Sequence, residues 1–306
     1  MKKTMVMMCV LLFLGLAACG ADGESVPVGS TEDMEAVTTS EAATSSEAAQ
    51  IEPEMDDITS ADSLGTVTEG TEYYRGFLID NVFHSVTEGD IHYNVYIPES
   101  YDGSEPYAVY FTLPGYEGLY FQGVATNLQY EEYGFEAQAY NPQIIVVAPQ
   151  LNDWGVTSAN QTIALVEYFL EAYNIDPSKV YASGLSGGGE TMSLVVGMRP
   201  DLFTAYLHTS SQWDGEYELV ASQHLPVYLV IGRDDEYYGS ASCQDAYDAL
   251  RALYEEQGMS DTEIDEILVL DIKEHDYFTD QGVSNEHAGG LLFAYDEEIM
   301  GWLFSR

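Results

Sequence analysis

The segment Lys179–Gly189 reads KVYASGLSGGG and decides the fold of this chain. A β-prone run delivers a serine between two glycines, in the pattern G-x-S-x-G, and a helix is predicted to follow over Gly188–Met198. So sharp a strand-to-helix turn requires residues without side chains at Gly184 and Gly188, because a Cβ would crowd the strained backbone. The pattern therefore predicts that Ser186 is an exposed nucleophile beside the positive end of a helix dipole.

A nucleophilic serine needs a base and an acid that orients the base, and after such a turn the acid precedes the histidine in the chain. The apolar run Pro226–Ile231 is predicted to form a buried strand that leads directly into Gly232–Glu236. We prefer Asp235 as the acid, because the G-x-x-D step leaves a tight turn before the carboxylate. Asp234 remains the alternative, and Glu236 is expected to be solvated.

Two histidines, His275 and His287, lie downstream of this strand. A further strand predicted over Ile267–Ile272 places His275 close to its end. His287 lies in the polar, glycine-rich segment Ser284–Gly290, ahead of a terminal helix predicted over Leu291–Phe304. We prefer His287 as the base, because small neighbours in a flexible loop let an imidazole reach across the sheet edge. His275 remains the alternative.

An oxyanion hole requires one N–H from the residue after the nucleophile, here Gly187, and one from the loop after an earlier strand. The strand predicted over Tyr107–Leu113 opens into Pro114–Gly118, whose glycines permit an inward-turned backbone. Tyr116 is the predicted second donor. A His-Gly sequence is more usual at this place, and proline 114 departs from it.

The rest of the region alternates predicted strands and helices, with crossovers long enough for right-handed parallel connections. An antiparallel pair is predicted at the entrance, over Phe77–Val86 and Ile91–Pro98. The later predicted elements are a helical or irregular stretch Gln122–Tyr140, strands Gln143–Ala148 and Ala205–His208, and helices Ser158–Tyr173 and Ser240–Gln257.

These motifs and their order, from about residue 107 to 290, resemble those of the α/β-hydrolase superfamily. Within it, Ala148–Trp154 and Tyr173–Tyr181 are similar to secreted esterases of the feruloyl-esterase and polyhydroxybutyrate-depolymerase type, and also to prolyl-oligopeptidase-like enzymes. The resemblance implies an α/β-hydrolase fold, a mostly parallel central sheet with helices on both faces. It also implies a Ser186, His287 and Asp235 triad that cleaves esters, such as acylated saccharides, through an acyl-enzyme.

Three aromatic residues, Tyr116, Trp154 and Trp213, each follow a predicted strand that ends at the same sheet edge, so they are candidates to shape a substrate pocket. Ordinary packing is the alternative role for these side chains. Two other functions remain open at this stage. One is a serine peptidase that uses the same triad, and the other is a solute-binding lipoprotein, which would need a broken triad.

The first residues predict export. A basic start precedes the short apolar run Met5–Leu16, and Leu16–Cys19 resembles the lipobox of bacterial lipoproteins. That resemblance implies a signal peptide over residues 1–18, lipid on Cys19 and anchoring to the outer face of the cytoplasmic membrane. An ordinary signal peptide is the alternative. Residues 19–68, rich in Ser, Thr, Glu and Ala, are predicted to be a disordered tether, and residues 69–306 a catalytic domain.

The chain has 52 acidic and nine basic residues, a formal net charge of −43. This charge repels nucleic acid and anionic lipid headgroups and disfavours acidic substrates. No segment has the ligand spacing of a known calcium loop, and no metal or cofactor motif is identified. After processing, Cys243 would be the remaining thiol beside a lipidated Cys19, so no intramolecular disulfide is expected, and Cys243 is predicted to be buried. The oligomeric state stays open.

Overall fold

The computed structural model describes residues 60–130 and 132–306. The predicted signal peptide, Cys19 and most of the predicted tether lie outside these residues. The described fold nevertheless takes in the end of the predicted tether, as helix α1 (Ser60–Leu64) and strand β1 (Gly65–Thr68). Strand β1 pairs antiparallel with a later strand, and Ala61 is buried. Edge pairing and one buried side chain anchor this segment, which has too few apolar residues to show a periodic pattern.

A ten-stranded sheet forms the centre of the described fold. After β1, its strands in chain order are β2 (Glu72–Tyr74), β3 (Phe77–Ser85), β4 (Gly89–Tyr96), β5 (Tyr107–Leu113), β6 (Ile144–Gln150), β7 (Ile175–Leu185), β8 (Ala205–Thr209), β9 (Val227–Gly232) and β10 (Leu268–Lys273).

Helices connect the strands and cover both faces of the sheet. After α1 they are α2 (Glu132–Tyr140), α3 (Val156–Ala172), α4 (Gly187–Met198), α5 (Glu218–Gln223), α6 (Ala241–Glu256), α7 (Asp261–Ile267), α8 (His275–Thr279) and α9 (Glu297–Phe304). Within residues 60–130 and 132–306, no helix has the length and apolar character needed to cross a membrane.

The strand order is β1-β3-β4-β6-β5-β7-β8-β9-β10, with β2 paired to β3. The predicted entrance pair is confirmed, since β3 and β4 are antiparallel. Strand β4 also pairs antiparallel with β6. The strands β6-β5-β7-β8-β9-β10, in sheet order, are all parallel. From β5 the chain moves to β6 on one side and then returns to β7 on the other. The carboxyl ends of β5 and β7 therefore flank the point where the winding direction reverses, where open α/β sheets bind ligands.

Strands β5 and β6 are buried along their whole length, as their continuous apolar sequences predict. Alternate residues of β5 enter opposite layers. Phe111 packs edge-on against Phe169 of α3, whereas Tyr110 packs edge-on against Phe304 of α9. The mostly parallel sheet with helices on both faces, predicted for an α/β-hydrolase fold, is confirmed.

The C-terminal region differs from the single predicted helix. The chain forms a 3₁₀ segment over Ala288–Tyr295 and begins α9 only at Glu297. Asp296 separates the two, because its side chain accepts a hydrogen bond from the backbone N–H of Glu298 and so caps α9. An aspartate in this role favours a helix start, which explains why the apolar pattern across the whole segment overestimates the helix.

Candidate active site

Ser186 occupies a strained turn between β7 and α4, with φ 54° and ψ −128°. A positive φ is uncommon for a residue with a side chain and marks functional turns. The two glycines of the motif are required by close contacts. A Cβ on Gly184 would lie 2.5 Å from the carbonyl oxygen of Gly188, and one on Gly188 would lie 2.1 Å from that of Leu113. The sequence motif therefore has the steric origin that was predicted.

Neighbouring strand β8 holds this turn in place. The N–H of Ser186 donates to the carbonyl of Thr209 at 3.1 Å, and the Ser211 hydroxyl donates to the carbonyl of Ser186 at 2.6 Å. Beneath it, the Cys243 thiol lies 3.5 Å from the carbonyl of Ser211. Cys243 is buried, as predicted, and burial raises the pKa of its thiol to about 12. Cys243 therefore stays protonated and serves as a packing residue.

A continuous row of hydrogen bonds runs from Ser186 through His287 to Asp235. The Ser186 Oγ lies 3.0 Å from His287 Nε2, and His287 Nδ1 lies 2.9 Å from Asp235 Oδ2. One tautomer satisfies both contacts. In it, Nδ1–H donates to the carboxylate and Nε2 accepts the serine hydroxyl proton. The structure thus brings together the preferred serine, base and acid.

The Asp235 carboxylate is held by more than the histidine. Its side chain is fully buried, and Oδ1 accepts hydrogen bonds from the backbone N–H groups of Tyr237 at 3.0 Å and Tyr238 at 2.9 Å. Burial by itself raises the pKa of Asp235, but the bonds from His287 and these two amides outweigh it and hold the pKa below its ordinary value. Asp235 therefore remains an anion that can stabilise an imidazolium.

The two alternatives occupy other positions. Asp234 has an exposed side chain, and its backbone N–H donates to Glu286 Oε2 at 2.8 Å. His275 begins α8, where its Nδ1 lies 2.9 Å from Glu286 Oε1. That hydrogen bond raises the pKa of the His275 imidazole. Glu236 is exposed, as expected for a solvated residue, and it also accepts a hydrogen bond from the N–H of His287 at 3.1 Å.

Sequence reasoning missed Glu286, whose side chain is only 1% exposed. It fixes the loop of His287 to the loop of Asp235 through the N–H of Asp234. The available signal was its position directly before the histidine, but composition did not distinguish it from the chain's many solvated carboxylates. A buried carboxylate needs donors, and here one backbone N–H and one imidazole supply them.

Two backbone N–H groups lie beside the nucleophile. Gly187 is the first residue of α4, and Tyr116 is the first residue of a 3₁₀ turn over Tyr116–Gly118. N–H groups at such positions have no acceptor within their own helix. The loop runs alongside the serine, because a Cβ on Gly115 would lie 3.0 Å from the Cβ of Ser186. Gly187 and Tyr116 therefore occupy the places predicted for the oxyanion donors.

Aromatic rings surround this opening. Trp154 lies over Gly187, where an added Cβ would be 2.4 Å from the indole Cε2, and the Tyr116 ring is 5.9 Å from the indole ring. On the opposite side, Tyr237 stacks on His287 at 5.3 Å. Tyr116 is 52% and Tyr237 is 71% exposed, so the rim presents apolar faces to solvent.

Trp213 does not line an open pocket, the role for which it was a candidate. It is buried, and its ring packs on Tyr206, His208 and Tyr217. Its indole N–H donates to the carbonyl of Gly215 at 2.9 Å. The chain turns inward after β8, so this tryptophan contributes to the core rather than to an open pocket. Across the described residues, no group of three or more metal-ligating side chains could hold an ion.

Known proteins are similar to this chain over one segment of sequence and in fold. Residues 150–262 match the prolyl oligopeptidase family, a range that contains Ser186 and Asp235 and ends before His287. A search of curated proteins gives no match. A thermostable esterase of known structure is 19% identical with a TM-score of 0.60, covering 75% of this chain and 63% of the esterase. This chain thus spans less than two thirds of that protein's length.

Two further structures are similar at lower scores. Est1E from Butyrivibrio proteoclasticus is 14% identical with a TM-score of 0.49, covering 76% of this chain and 100% of Est1E. Oligopeptidase B from Leishmania major is 16% identical with a TM-score of 0.47, covering 74% of this chain and 37% of that enzyme. The likeness to the thermostable esterase shows an α/β-hydrolase fold, and the family match over residues 150–262 supports a serine hydrolase.

Proposed function

We propose that this protein hydrolyses carboxylic esters through an acyl-enzyme on Ser186. The observation that carries the proposal is the unbroken row of hydrogen bonds from Ser186 to His287 at 3.0 Å and from His287 to Asp235 at 2.9 Å. Nucleophile, base and orienting acid are recognised by this geometry and these roles. The row ends at the switch point of the sheet, where a substrate can approach.

Acylation begins when Ser186 Oγ attacks the ester carbonyl carbon while His287 Nε2 takes the hydroxyl proton. The carbonyl π electrons move to oxygen, and the N–H groups of Gly187 and Tyr116 stabilise the resulting oxyanion. Removing one such donor typically lowers kcat by about 10² to 10³. The oxyanion then collapses, the bond to the alcohol breaks, and the imidazolium returns its proton to the leaving oxygen. Asp235 stabilises the imidazolium throughout.

Deacylation repeats these steps with water. His287 removes a proton from water as the water oxygen attacks the acyl carbon, and a second oxyanion forms at the same two amides. Its collapse breaks the bond to Ser186 Oγ, which recovers a proton from the imidazolium. The products are a carboxylic acid and the free serine, so atoms and charge balance with water as the only co-reactant.

The proposed substrates are small esters, including acyl groups carried by saccharides. The exposed rings of Tyr116 and Tyr237 at the rim support this assignment, since aryl groups and the apolar faces of sugars pack well on such rings. The match to the prolyl oligopeptidase family favours a peptidase as the second candidate. The same row of residues can attack an amide, so the two functions must be separated by substrate.

We also propose that the protein acts outside the cell, anchored through lipid on Cys19. The lipobox-like sequence that ends at Cys19 supports this proposal. Metabolic labelling with a radioactive fatty acid tests it, with Cys19→Ala as the variant that should lose both the label and the membrane fraction. Label retained in that variant would refute the anchor.

Hydrolysis is tested with a fluorophosphonate probe and with matched p-nitrophenyl esters and p-nitroanilides. We expect Ser186→Ala to lose labelling, and both Ser186→Ala and His287→Ala to lose ester turnover. His224→Ala, a change at a histidine outside the row, should retain both. Faster cleavage of the anilides than of the esters would favour the peptidase. A folded protein that neither labels nor turns over ester would support the solute-binding function instead.

A further inference from the structure

A carboxylate that the proposed mechanism does not use lies next to the nucleophile. Glu190 is in the first turn of α4, and its N–H donates to the carbonyl of Ser186 at 3.1 Å. Its Oε1 accepts a hydrogen bond of 2.9 Å from the Tyr238 hydroxyl. Glu190 thus lies one helical turn from the reacting serine, and its carboxylate is held by Tyr238.

Tyr238 belongs to the same framework as the catalytic row. Its backbone N–H donates to Asp235 at 2.9 Å, and its ring centre lies 5.5 Å from that of His287. The exposed ring of Tyr237 lies 4.8 Å from the Tyr238 ring. Because Tyr238 is fixed at both its backbone and its hydroxyl, the position of Glu190 relative to a scissile bond on Ser186 is fixed as well.

The charge of Glu190 has no cationic partner in the described part of the chain. The charged side chain that influences Glu190 is that of Asp214, a second carboxylate. Asp214 is exposed and accepts a hydrogen bond of 3.0 Å from the Gln212 side chain. Burial raises the pKa of Glu190, and Asp214 adds to this rise, whereas the bond from Tyr238 opposes it. A partly buried charge without a counter-ion is costly, and such a group beside a nucleophile is a candidate functional residue.

We propose that Glu190, held by Tyr238, forms a subsite for a positively charged group of the ester substrate. The ligand class is an ammonium-bearing alcohol or acyl group, such as an amino alcohol or an amino sugar, with its charge a few bonds from the scissile carbonyl. Glu190 supplies the counter-charge, and the exposed Tyr237 face suits a cation. The inference rests on the proposed ester hydrolysis and specifies which esters are preferred.

Two esters of the same acid test the subsite, the choline ester and the 3,3-dimethylbutyl ester. They have the same shape, and a quaternary nitrogen in one replaces a carbon in the other. We expect kcat/KM of the wild-type protein to be about tenfold higher for the cationic ester. Glu190→Gln keeps an oxygen that can accept from Tyr238 but removes the charge. The ratio should fall to about one through a higher KM for the cationic ester.

Glu256→Gln is the matched control, because it removes the same charge from an exposed position at the end of α6. This variant should keep the wild-type ratio. If the wild-type protein has equal kcat/KM for the two esters, the subsite is overturned while ester hydrolysis stays intact. This measurement needs no variant. A high ratio that survives in Glu190→Gln would overturn the subsite as well. Failure to hydrolyse either ester by a protein that turns over p-nitrophenyl esters would overturn the subsite alone, whereas failure with all of these esters would overturn the proposed function as well.

Discussion

Replacing Asp235 by asparagine should nearly abolish turnover, although the side chain keeps its shape. In the structure, Oδ1 accepts two backbone N–H groups, from Tyr237 and Tyr238, and Oδ2 faces His287 Nδ1. An asparagine must place its carbonyl oxygen toward the two amides, since its NH₂ group would otherwise point at two donors. The NH₂ group then faces His287 and donates to Nδ1.

In that arrangement the imidazole proton lies on Nε2, so Nε2–H points at the hydroxyl of Ser186 as a donor. His287 can then no longer accept the serine proton. The wrong tautomer in such a triad costs about 10⁴ in kcat, which corresponds to about 5.4 kcal/mol at 1.36 kcal/mol per factor of ten. The assay is kcat/KM for a p-nitrophenyl ester, together with the rate of fluorophosphonate labelling and circular dichroism to establish folding.

Asp234→Asn is the matched control, because the adjacent carboxylate is exposed and only its backbone N–H takes part in the network. This variant should retain activity within about twofold of the wild type, as expected for a surface change. A folded Asp235→Asn variant with activity within tenfold of the wild type would refute the tautomer argument. A large loss in Asp234→Asn alone would transfer the orienting role to that residue.

Three further outcomes follow from the same geometry. Gly188→Ala should lower the free energy of unfolding by about 1 to 3 kcal/mol, since its Cβ would lie 2.1 Å from a backbone oxygen; urea unfolding checks this, with Gly301→Ala in α9, where the nearest atom is 3.9 Å from the added Cβ, as a control that should be no less stable than the wild type. Glu286→Gln should cost about 1 to 3 kcal/mol in the same assay, because a buried carboxylate loses its charge between two donors; an unchanged midpoint would contradict this. The lowered pKa of Asp235 means that its ionised form stabilises the fold above an unfolded pKa of about 3.9, and this contribution is lost as pH falls through the folded pKa. The stability difference between wild type and Asp235→Asn should therefore narrow at pH 3 relative to pH 7, and a constant difference would count against it.

Local patterns predict the elements that carry the chemistry. The glycines around Ser186 have short-range steric causes, the strand before Ser186 ends in a β-prone run, and the strand that delivers Asp235 is a continuous apolar run, so sequence identifies both. The preference for Asp235 over Asp234 came from the tight turn of the G-x-x-D step and from the resemblance to related enzymes, and the structure brings Asp235 to His287. These features depend on neighbours a few residues away, which a single sequence displays.

Features that depend on distant contacts were not predicted. Trp213 lies in the core because the chain turns inward after β8, and nothing in its local sequence distinguishes that path from an open pocket. The helix α7 is an exception, since it was missed despite a local signal, the capping box that Ser260 and Glu263 form at its start. Glu286 was missed because its partners are 11 and 52 residues away. Long-range hydrogen bonds leave no periodic signal.

The backbone at residue 186 restricts which side chains can serve as the nucleophile. A φ of 54° is a genuine outlier for a β-branched residue, because the second branch crowds the preceding carbonyl. Threonine offers the same hydroxyl as serine, yet at this turn it would destabilise the fold before any chemistry began. Cysteine and aspartate carry only one heavy atom on Cβ, so they have no second branch to crowd the carbonyl. The turn is therefore compatible with a thiol or a carboxylate as the nucleophile at residue 186. It excludes threonine, which differs from serine by only one methyl group.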